Sequence, residues 1–266
     1  MALWAVDLHV HLYSGFNIDL AVDSAWKNVR SGCRQLPFGQ CWCLASPPGI
    51  DGLNYLAVMA DAQSSNTKVT TVKDAQGRAI VILENKDGEI AVVPGTQAIS
   101  AEGLEVLSLA AELPATDSAG LEALVDLVRI KGGVPVIPWG VGKWLGRRGQ
   151  LVAKVVRNSK IGDPLLFADN ANRPWWWPYP RLLRSAARRG LVVVSGSDPL
   201  PIKGDETRIS SAGITCEVSS AKTAWHDIRH SLFEAAGTPV TVFGLPMSNL
   251  KFWHHQLLLR LRSPAL

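Results

Sequence analysis

The chain has 266 residues, of which 47% are apolar and 19% are charged. This composition supplies a core and excludes an intrinsically disordered chain. The net charge of +4 is small, so we expect no nucleic-acid partner. Asp7 and His9 interrupt the apolar start, and no apolar run reaches about 18 residues. We therefore expect a cytoplasmic protein without a signal peptide or transmembrane segment.

The first half of the chain contains predicted strands, one helix and two turn signals. Residues 3–8 and 53–60 are apolar runs of strand length, and residues 21–30 are predicted to be helical. Residues 32–51 are rich in Gly, Pro and Cys and predict an irregular connection. The turn sequences AQGR and NKDG, each flanked by β-branched residues, predict a hairpin-rich insertion at about 66–100.

The second half alternates apolar runs with helical segments. Helices are predicted at residues 118–131, 144–158, 180–189, 221–236 and about 249–262. Between them lie the apolar runs PVIPWG, LLFADN, LVVVSGSD, AGITCEVSS and PVTVFG. This alternation is typical of a parallel sheet. Because no linker stands out, we expect one domain spanning residues 1–266.

Polar side chains follow many of these apolar runs. In parallel α/β folds, chemistry gathers at the carboxyl ends of the strands. The residues at the predicted strand ends are Asp7, His9, His11, Glu84, Gln97, Lys143, Asp169, Asn170, Ser197 and Asp198. We expect them to line one rim of the fold.

His9 and His11 are the first candidate ligands. Residues two apart on a strand point to the same face, so both imidazoles can bind one cation at about 2.0–2.1 Å. Asp7 shares this face and can approach the cation or orient an imidazole. The alternative is a histidine pair that only hydrogen-bonds to its neighbours.

Asp198 ends the buried run LVVVSGSDP. Gly196 gives the backbone freedom there, and the carboxylate can complete a ligand set of nitrogen and oxygen atoms. The alternative is an aspartate that begins a turn before Pro199. Beside the histidine pair, we favour the metal ligand.

The order DLHVH, PGTQ and GSD resembles the PHP (polymerase and histidinol phosphatase) family of metal-dependent phosphoesterases, within the wider metal-dependent hydrolase group. The resemblance covers residues 3–201. It implies an α/β fold in the form of a distorted (β/α)7 TIM-like barrel, here with the β-hairpin insertion in its first half. It also implies metal ions bound by these motifs.

The chain departs from the family pattern at several ligand positions. Gln97 stands where the family has a glutamate that bridges two cations. Residues 138–140 read PWG where a His-Pro is expected, and Leu200 replaces the last histidine. The ligands that remain are His9, His11 and Asp198, with Gln97 or Asp169 as a further candidate. We therefore expect one divalent ion (zinc, manganese or iron) and no two-metal site.

Lys143, between two tryptophans in PWGVGKWLGRRG, has three interpretations. Its ammonium group can hold a substrate oxygen where a second metal would otherwise lie. A carbamylated lysine is a metal ligand in amidohydrolases, which the chain also resembles in its HxH start. A lysine beginning a basic helix can also simply extend over a tryptophan.

The segment DNANRP adds three candidates. Asp169 can bind metal, position water or act as a base, or it can cap a helix or turn. Arg173 precedes Pro174, which keeps it extended, so we expect it to reach across the rim. Asn170 and Arg173, with Gln97 and Lys143, are the predicted substrate-binding residues.

The favoured hypothesis is a metal-dependent hydrolase that cleaves a small anionic substrate, a phosphate ester, with one cation. Asp169 or Asp198 would assist proton removal, while Lys143 and Arg173 would stabilise the anionic transition state. The alternatives are a catalytically degenerate binding or scaffold module and an amidohydrolase that uses Lys143. For the helix at 249–262 we favour docking on the core with a polar outer face, the alternatives being a membrane surface or an oligomer contact.

Overall fold

The computed structural model describes residues 1–115, 119–233 and 241–262. The strands are β1 (Ala2–Val10), β2 (Gly39–Leu44), β3 (Lys68–Lys73), β4 (Ala79–Asn85), β5 (Gly88–Val93), β6 (Gly95–Ile99), β7 (Glu105–Leu109), β8 (Val134–Pro138), β9 (Leu166–Asn170), β10 (Val193–Gly196), β11 (Ala212–Val218) and β12 (Thr241–Gly244). The helices are α1 (Ile18–Gly32), α2 (Gly52–Gln63), α3 (Leu121–Ile130), α4 (Gly146–Asn158), α5 (Arg181–Arg188), α6 (Ala224–Phe233) and α7 (Asn249–Arg262). Short 3-10 turns lie at Asp205–Arg208 and Ala221–Thr223.

The strands form two mixed sheets. The first has seven strands in the order β12-β11-β1-β2-β5-β4-β3, and the second has five in the order β10-β9-β8-β7-β6. Both sheets contain parallel pairs, such as β1–β2 and β8–β9, and antiparallel pairs, such as β1–β11 and β6–β7. The predicted TIM-like barrel is therefore wrong, because neither sheet closes on itself within the described ranges.

The hairpins explain why no barrel forms. Strand β2 pairs with β5, and the hairpins then carry the sheet outward through β4 to β3. A barrel would instead continue from β2 to β6, where the described residues contain a single parallel bridge between Ser46 and Thr96. At the other edge, the amide of Asp198 donates to the carbonyl of His9 at 2.9 Å. Each edge of the five-stranded sheet, at β6 and at the end of β10, thus contacts the seven-stranded sheet, but no strand ladder joins the two sheets among the described residues.

Local predictions had mixed outcomes. Both turns, AQGR and NKDG, connect antiparallel strands as predicted. Residues 53–60 were predicted as a strand but lie in α2, whose first turn is capped by Asp51 accepting from the amide of Asn54 at 2.8 Å. Strand β2 lies within the segment predicted to be irregular. Short apolar runs fit both helix and strand, which accounts for the first error.

The helical predictions in the second half agree with α3 to α7 to within a few residues. Residue 118 of the predicted helix at 118–131 lies outside the described residues, as do residues 234–236 of the predicted helix at 221–236. The first residues of PVTVFG also lie outside them. The single-domain division stays a prediction.

Three apolar clusters organise the layers. One lies between the inner faces of the two sheets and includes Val6, Leu107 and Leu166, with α6 closing one end through Trp225. A second lies between the seven-stranded sheet and helices α1 and α2. The third lies between the five-stranded sheet and helices α3, α4 and α5. The strand ends that carry the candidate site therefore rest on cores on both sides.

Helix α7 docks on the core through Phe252 and His255, which are buried. Its outer face is mixed rather than polar, because apolar side chains are exposed there beside His254 and Arg260. The exposed apolar side chains of the helix are Leu250, Trp253, Leu257 and Leu261. In the described ranges, no helix combines the length and apolar character that crossing a bilayer requires.

Asp19 on α1 generates a stability prediction. Its carboxylate accepts hydrogen bonds from Ser64 and Ser65 and from the amide of Asn66, which joins α1 to the loop after α2. Partial burial acts in the opposite direction, but these hydrogen bonds lower the pKa of Asp19 to about 2. We expect Asp19→Asn to lower the free energy of unfolding by about 1 kcal/mol at neutral pH, measured by urea denaturation.

Because the folded-state pKa is depressed, this stabilisation is present above about pH 4 and is lost as the pH falls towards 2. The difference between wild type and Asp19→Asn should therefore narrow over that interval. Asp61→Asn, on the exposed face of α2, is the matched control. A difference that persists unchanged at pH 2 would contradict the assignment.

Candidate metal centre

The site begins at Asp7, which is buried in β1. Its carboxylate accepts hydrogen bonds from the amide of His9 at 3.1 Å, the amide of Ser197 at 2.9 Å and the amide of Ser210 at 2.8 Å. The hydroxyl of Ser197 also donates to it. Burial raises the pKa of Asp7 to about 6, although these hydrogen bonds oppose the rise. The oxygens of Asp7 therefore bind backbone amides and the hydroxyl of Ser197. In these contacts Asp7 does not orient an imidazole, which was one interpretation of the sequence.

His9, His11 and Asp198 converge on one point. The Nε2 atoms of the two histidines lie 3.1 Å apart, and Asp198 Oδ1 lies 3.5 Å from His9 Nε2 and 3.7 Å from His11 Nε2. Among the described residues they form a cluster with the spacing of metal ligands. In a tetrahedral site with bonds of about 2.0–2.1 Å, neighbouring ligand atoms lie about 3.4 Å apart. The observed separations match the edges of such a tetrahedron.

Gln97 supplies a fourth atom. Its Oε1 lies 2.8 Å from His9 Nε2, while its Nε2 donates to Glu105 Oε1 at 3.2 Å. A carboxylate only accepts hydrogen bonds, so Glu105 fixes which end of the amide faces His9. Gln97 Oε1 thus lies next to His9 Nε2, beside the cluster formed by His9, His11 and Asp198. Such a set fits a divalent cation with nitrogen and oxygen ligands.

Asp198 is held in an unusual conformation. Its φ angle is +47°, in the left-handed region that few residues other than glycine adopt. Its Oδ2 accepts from the side-chain amides of Asn170 at 2.8 Å and Asn172 at 2.9 Å, which leaves Oδ1 for the histidines. Asn170 also donates to the carbonyl of Trp139 at 2.9 Å. The two asparagines therefore bind Oδ2 of Asp198, and this leaves Oδ1 oriented towards the histidines.

The electrostatics favour ligand forms of these groups. Burial, assisted by the neighbouring His9, lowers the pKa of His11 to about 4, so His11 is neutral near pH 7. Burial acts to raise the pKa of Asp198, but the nearby His9 and His11 and the hydrogen bond from Asn172 outweigh it and lower the pKa. A neutral imidazole and an ionised carboxylate are the forms that bind metals.

Lys143 approaches the centre only indirectly. Its ammonium group pairs with Glu105, whose Oε1 also accepts from Gln97. Lys143 is thus linked to His9 through two side chains. Lys143 and Gln97 were identified from the sequence, but Glu105 was not, because it begins β7 and follows no strand-end signal.

Asp169 and Arg173 form a separate unit. Arg173 donates to both oxygens of Asp169, at 3.2 and 2.9 Å, and to the carbonyl of Trp177 at 3.0 Å. Burial raises the pKa of Asp169, and Arg173 offsets only part of the rise. Neighbouring strand residues point to opposite faces, and Asn170 is the one that faces Asp198. The pair lines a cavity of about 370 Å³ together with Tyr179.

Other predicted rim residues lie elsewhere. Glu84 pairs with Lys68 at 3.1 Å on the exposed hairpin.

Tyr13, which was not identified from the sequence, stacks on His11 with ring centroids 5.7 Å apart. Asn172 was also missed, although it lies in the quoted DNANRP segment between two residues that were named. Its role is visible only once Asp198 is placed beside it.

Comparisons with known proteins show a similarity of fold. No protein-family model and no curated protein sequence matches the chain. The structure of PsfC from Pseudomonas syringae PB-5123 is 15% identical with a TM-score of 0.51, covering 98% of this chain and 99% of PsfC. The lesion-specific endonuclease PfuEndoQ from Pyrococcus furiosus is 10% identical with a TM-score of 0.52; the match covers 91% of this chain but 59% of PfuEndoQ. The chain is therefore similar in fold to a known endonuclease.

Gly196 allows β10 to lie against β1, and this contact generates a prediction. A Cβ atom at Gly196 would lie 2.5 Å from His9 Cβ and 2.8 Å from the His9 amide nitrogen. Gly196→Ala must therefore displace His9, and we expect it to lower the free energy of unfolding by about 1–3 kcal/mol in urea denaturation. Gly15→Ala, where no atom lies within 4 Å of the added Cβ, is the control. Equal stability of the two variants would refute the close approach.

Proposed function

We propose that this protein is a hydrolase that uses one divalent cation, held by His9, His11 and Asp198, to cleave a phosphate ester. The observation that carries the proposal is the convergence of their three ligand atoms at separations of 3.1 to 3.7 Å. Gln97 Oε1 is the further oxygen in reach. The similarity in fold to an endonuclease supports a hydrolase, because endonucleases cleave phosphodiesters.

The ligand set favours an anionic substrate. Two imidazoles and an amide are neutral, and Asp198 contributes one negative charge, so the site with a divalent ion has a net charge of about +1. A divalent cation supplies two effects when bound: it lowers the pKa of a ligating water and polarises a phosphoryl oxygen. Zinc, manganese and iron all accept this mixture of imidazole and carboxylate.

Other residues of the chain position the ligands and bind the substrate. Asn170 and Asn172 keep Asp198 Oδ2 occupied, so that Oδ1 stays aimed at the histidines. Gln97, oriented by Glu105, presents its carbonyl oxygen beside His9. The ammonium group of Lys143 pairs with Glu105, and we infer that it also binds a substrate oxygen. Asp169 has no part in the proposal, because it forms an ion pair with Arg173 on the other face of β9.

The contacts of Lys143 weigh against the amidohydrolase alternative. A carbamate on Lys143 would place a second negative charge beside Glu105, where the ammonium group now forms an ion pair. The repulsion between like charges at that distance makes the carbamate unfavourable. The binding-module alternative predicts cation uptake without hydrolysis, which the following experiment resolves.

We expect the purified protein to bind one equivalent of Zn²⁺ or Mn²⁺, measured by elemental analysis and calorimetry. His9→Ala and Asp198→Ala should each lower the affinity at least 100-fold, because each removes a ligand. At a cation concentration 100 times Kd, wild type should gain about 2.7 kcal/mol in unfolding free energy.

His226→Ala, which changes an exposed histidine of α6, is the control and should bind as wild type. Hydrolysis of p-nitrophenyl phosphate and of its bis-ester measures turnover. Equal cation binding by wild type and His9→Ala would refute the site. Normal binding with no hydrolysis of any ester would instead favour the binding module.

Lys143→Met separates substrate binding from metal binding. If the ammonium holds a substrate oxygen, KM for the ester should rise about tenfold, which corresponds to about 1.4 kcal/mol, with the metal content unchanged. Lys154→Met, which removes the same charge from an exposed pair with Glu122, is the matched control. Loss of metal from Lys143→Met would point instead to the carbamylated lysine.

A further inference from the structure

Asn172 makes two hydrogen bonds to Asp198. Its side-chain amide donates to Asp198 Oδ2 at 2.9 Å and to the Asp198 carbonyl at 2.7 Å. One amide group thus binds both the carboxylate and the strained backbone of the same residue. A left-handed aspartate persists when its surroundings fix it from several sides, and Asn172 is one of these sides.

The orientation of Asn172 is itself imposed. Arg208 Nη1 donates to Asn172 Oδ1 at 2.6 Å. Because a guanidinium group can only donate hydrogen bonds, it forces the oxygen of the amide towards itself and the NH₂ group towards Asp198. An inverted amide would face Arg208 with donors and Asp198 with an acceptor, so both contacts would be lost.

Arg208 is fixed in turn. It is buried, its Nη1 also donates to Asp205 Oδ2 at 3.3 Å, and its Nη2 lies 3.5 Å from the carbonyl of Ser197. Asp205 Oδ2 accepts from the amide of Leu200 at 2.6 Å, and its other oxygen lies 3.4 Å from His255 Nε2 of α7. A chain of buried polar contacts therefore runs from helix α7 to Asp198.

We propose that Asn172 and Arg208 are positioning residues of the cation site, with Arg208 acting through the amide of Asn172 on Asp198. The inference rests on the proposed function, since it assigns these residues to the same cation. Partners that hold a metal ligand typically change metal affinity 10- to 100-fold when they are removed. Neither residue touches the histidines in the contacts described above, so the effect is transmitted by Asp198.

Charge alone predicts the opposite sign for Arg208. A guanidinium group near the centre repels a divalent cation, so its removal would raise cation affinity if electrostatics dominated. Positioning predicts a decrease, because a released Asn172 amide no longer holds Asp198. The direction of the change in the Arg208→Met variant therefore separates the two roles.

The experiment is a calorimetric titration with ZnCl₂ and with MnCl₂. Asn172→Leu, of similar volume, should lower the affinity 10- to 100-fold, and Arg208→Met about tenfold. Arg208→Lys should recover part of the loss, because an ammonium group also donates to Asn172 Oδ1. Asn28→Leu is the matched control: Asn28 donates to the carbonyls of Thr207 and Ile209, on either side of Arg208.

Denaturation in the presence of a chelator measures the stability of each variant without the cation. Asn172→Leu and Asn28→Leu should both lose stability, but only Asn172→Leu should lose affinity. Wild-type binding by Asn172→Leu, or increased affinity in Arg208→Met, would overturn the inference while the site stands. A wild-type protein that takes up no Zn²⁺ or Mn²⁺ would overturn the proposed function and this inference with it.

Discussion

The buried carboxylate of Asp7 is the contact on which the arrangement of the site depends. It joins three segments that are distant in sequence: β1 through the amide of His9, the end of β10 through Ser197, and the approach to β11 through Ser210. A buried carboxylate is costly unless several donors satisfy it, so these segments can separate only by exposing it or leaving it unpaired. This contact positions His9, whose own amide donates to Asp7. It also positions Asp198, which directly follows Ser197.

Close packing places His9 and Asp198 next to each other. Gly196 lies against His9 without a Cβ, and the amide of Asp198 donates to the carbonyl of His9 at 2.9 Å. These contacts bring the two sheets together at the site, although their strands do not pair into one closed sheet. The left-handed turn at Asp198 then directs its carboxylate back towards the histidines. The site thus forms where the edge strand β10 of one sheet contacts the interior strand β1 of the other, and not at a barrel rim.

The convergence of His9, His11 and Asp198 could be predicted from the sequence because its signals are local. The alternation of a strand places His9 and His11 on one face, and the end of a buried run places Asp198 at a strand terminus. Asn172, Glu105 and Arg208 have no such signal, since an amide or an ion pair gains its role from a partner distant in the chain. The prediction of the architecture was wrong for a related reason. The sequence indicates the hairpins through their turns, but it does not indicate that they pair with the edge of β2.

Gln97 places a neutral amide at the candidate centre, where the resemblance to the PHP family implies a glutamate. A glutamate there would add negative charge beside Asp198, and two cations would then be balanced more closely by their ligands. The neutral amide leaves one carboxylate for the whole cluster, and Glu105, which could have served, is committed to Lys143 and Gln97. One cation with a single net positive charge therefore suits the ligands present. In the proposed hydrolase, the attraction for a phosphate oxygen that a second metal would provide is assigned to Lys143, whose ammonium group lies beside Glu105.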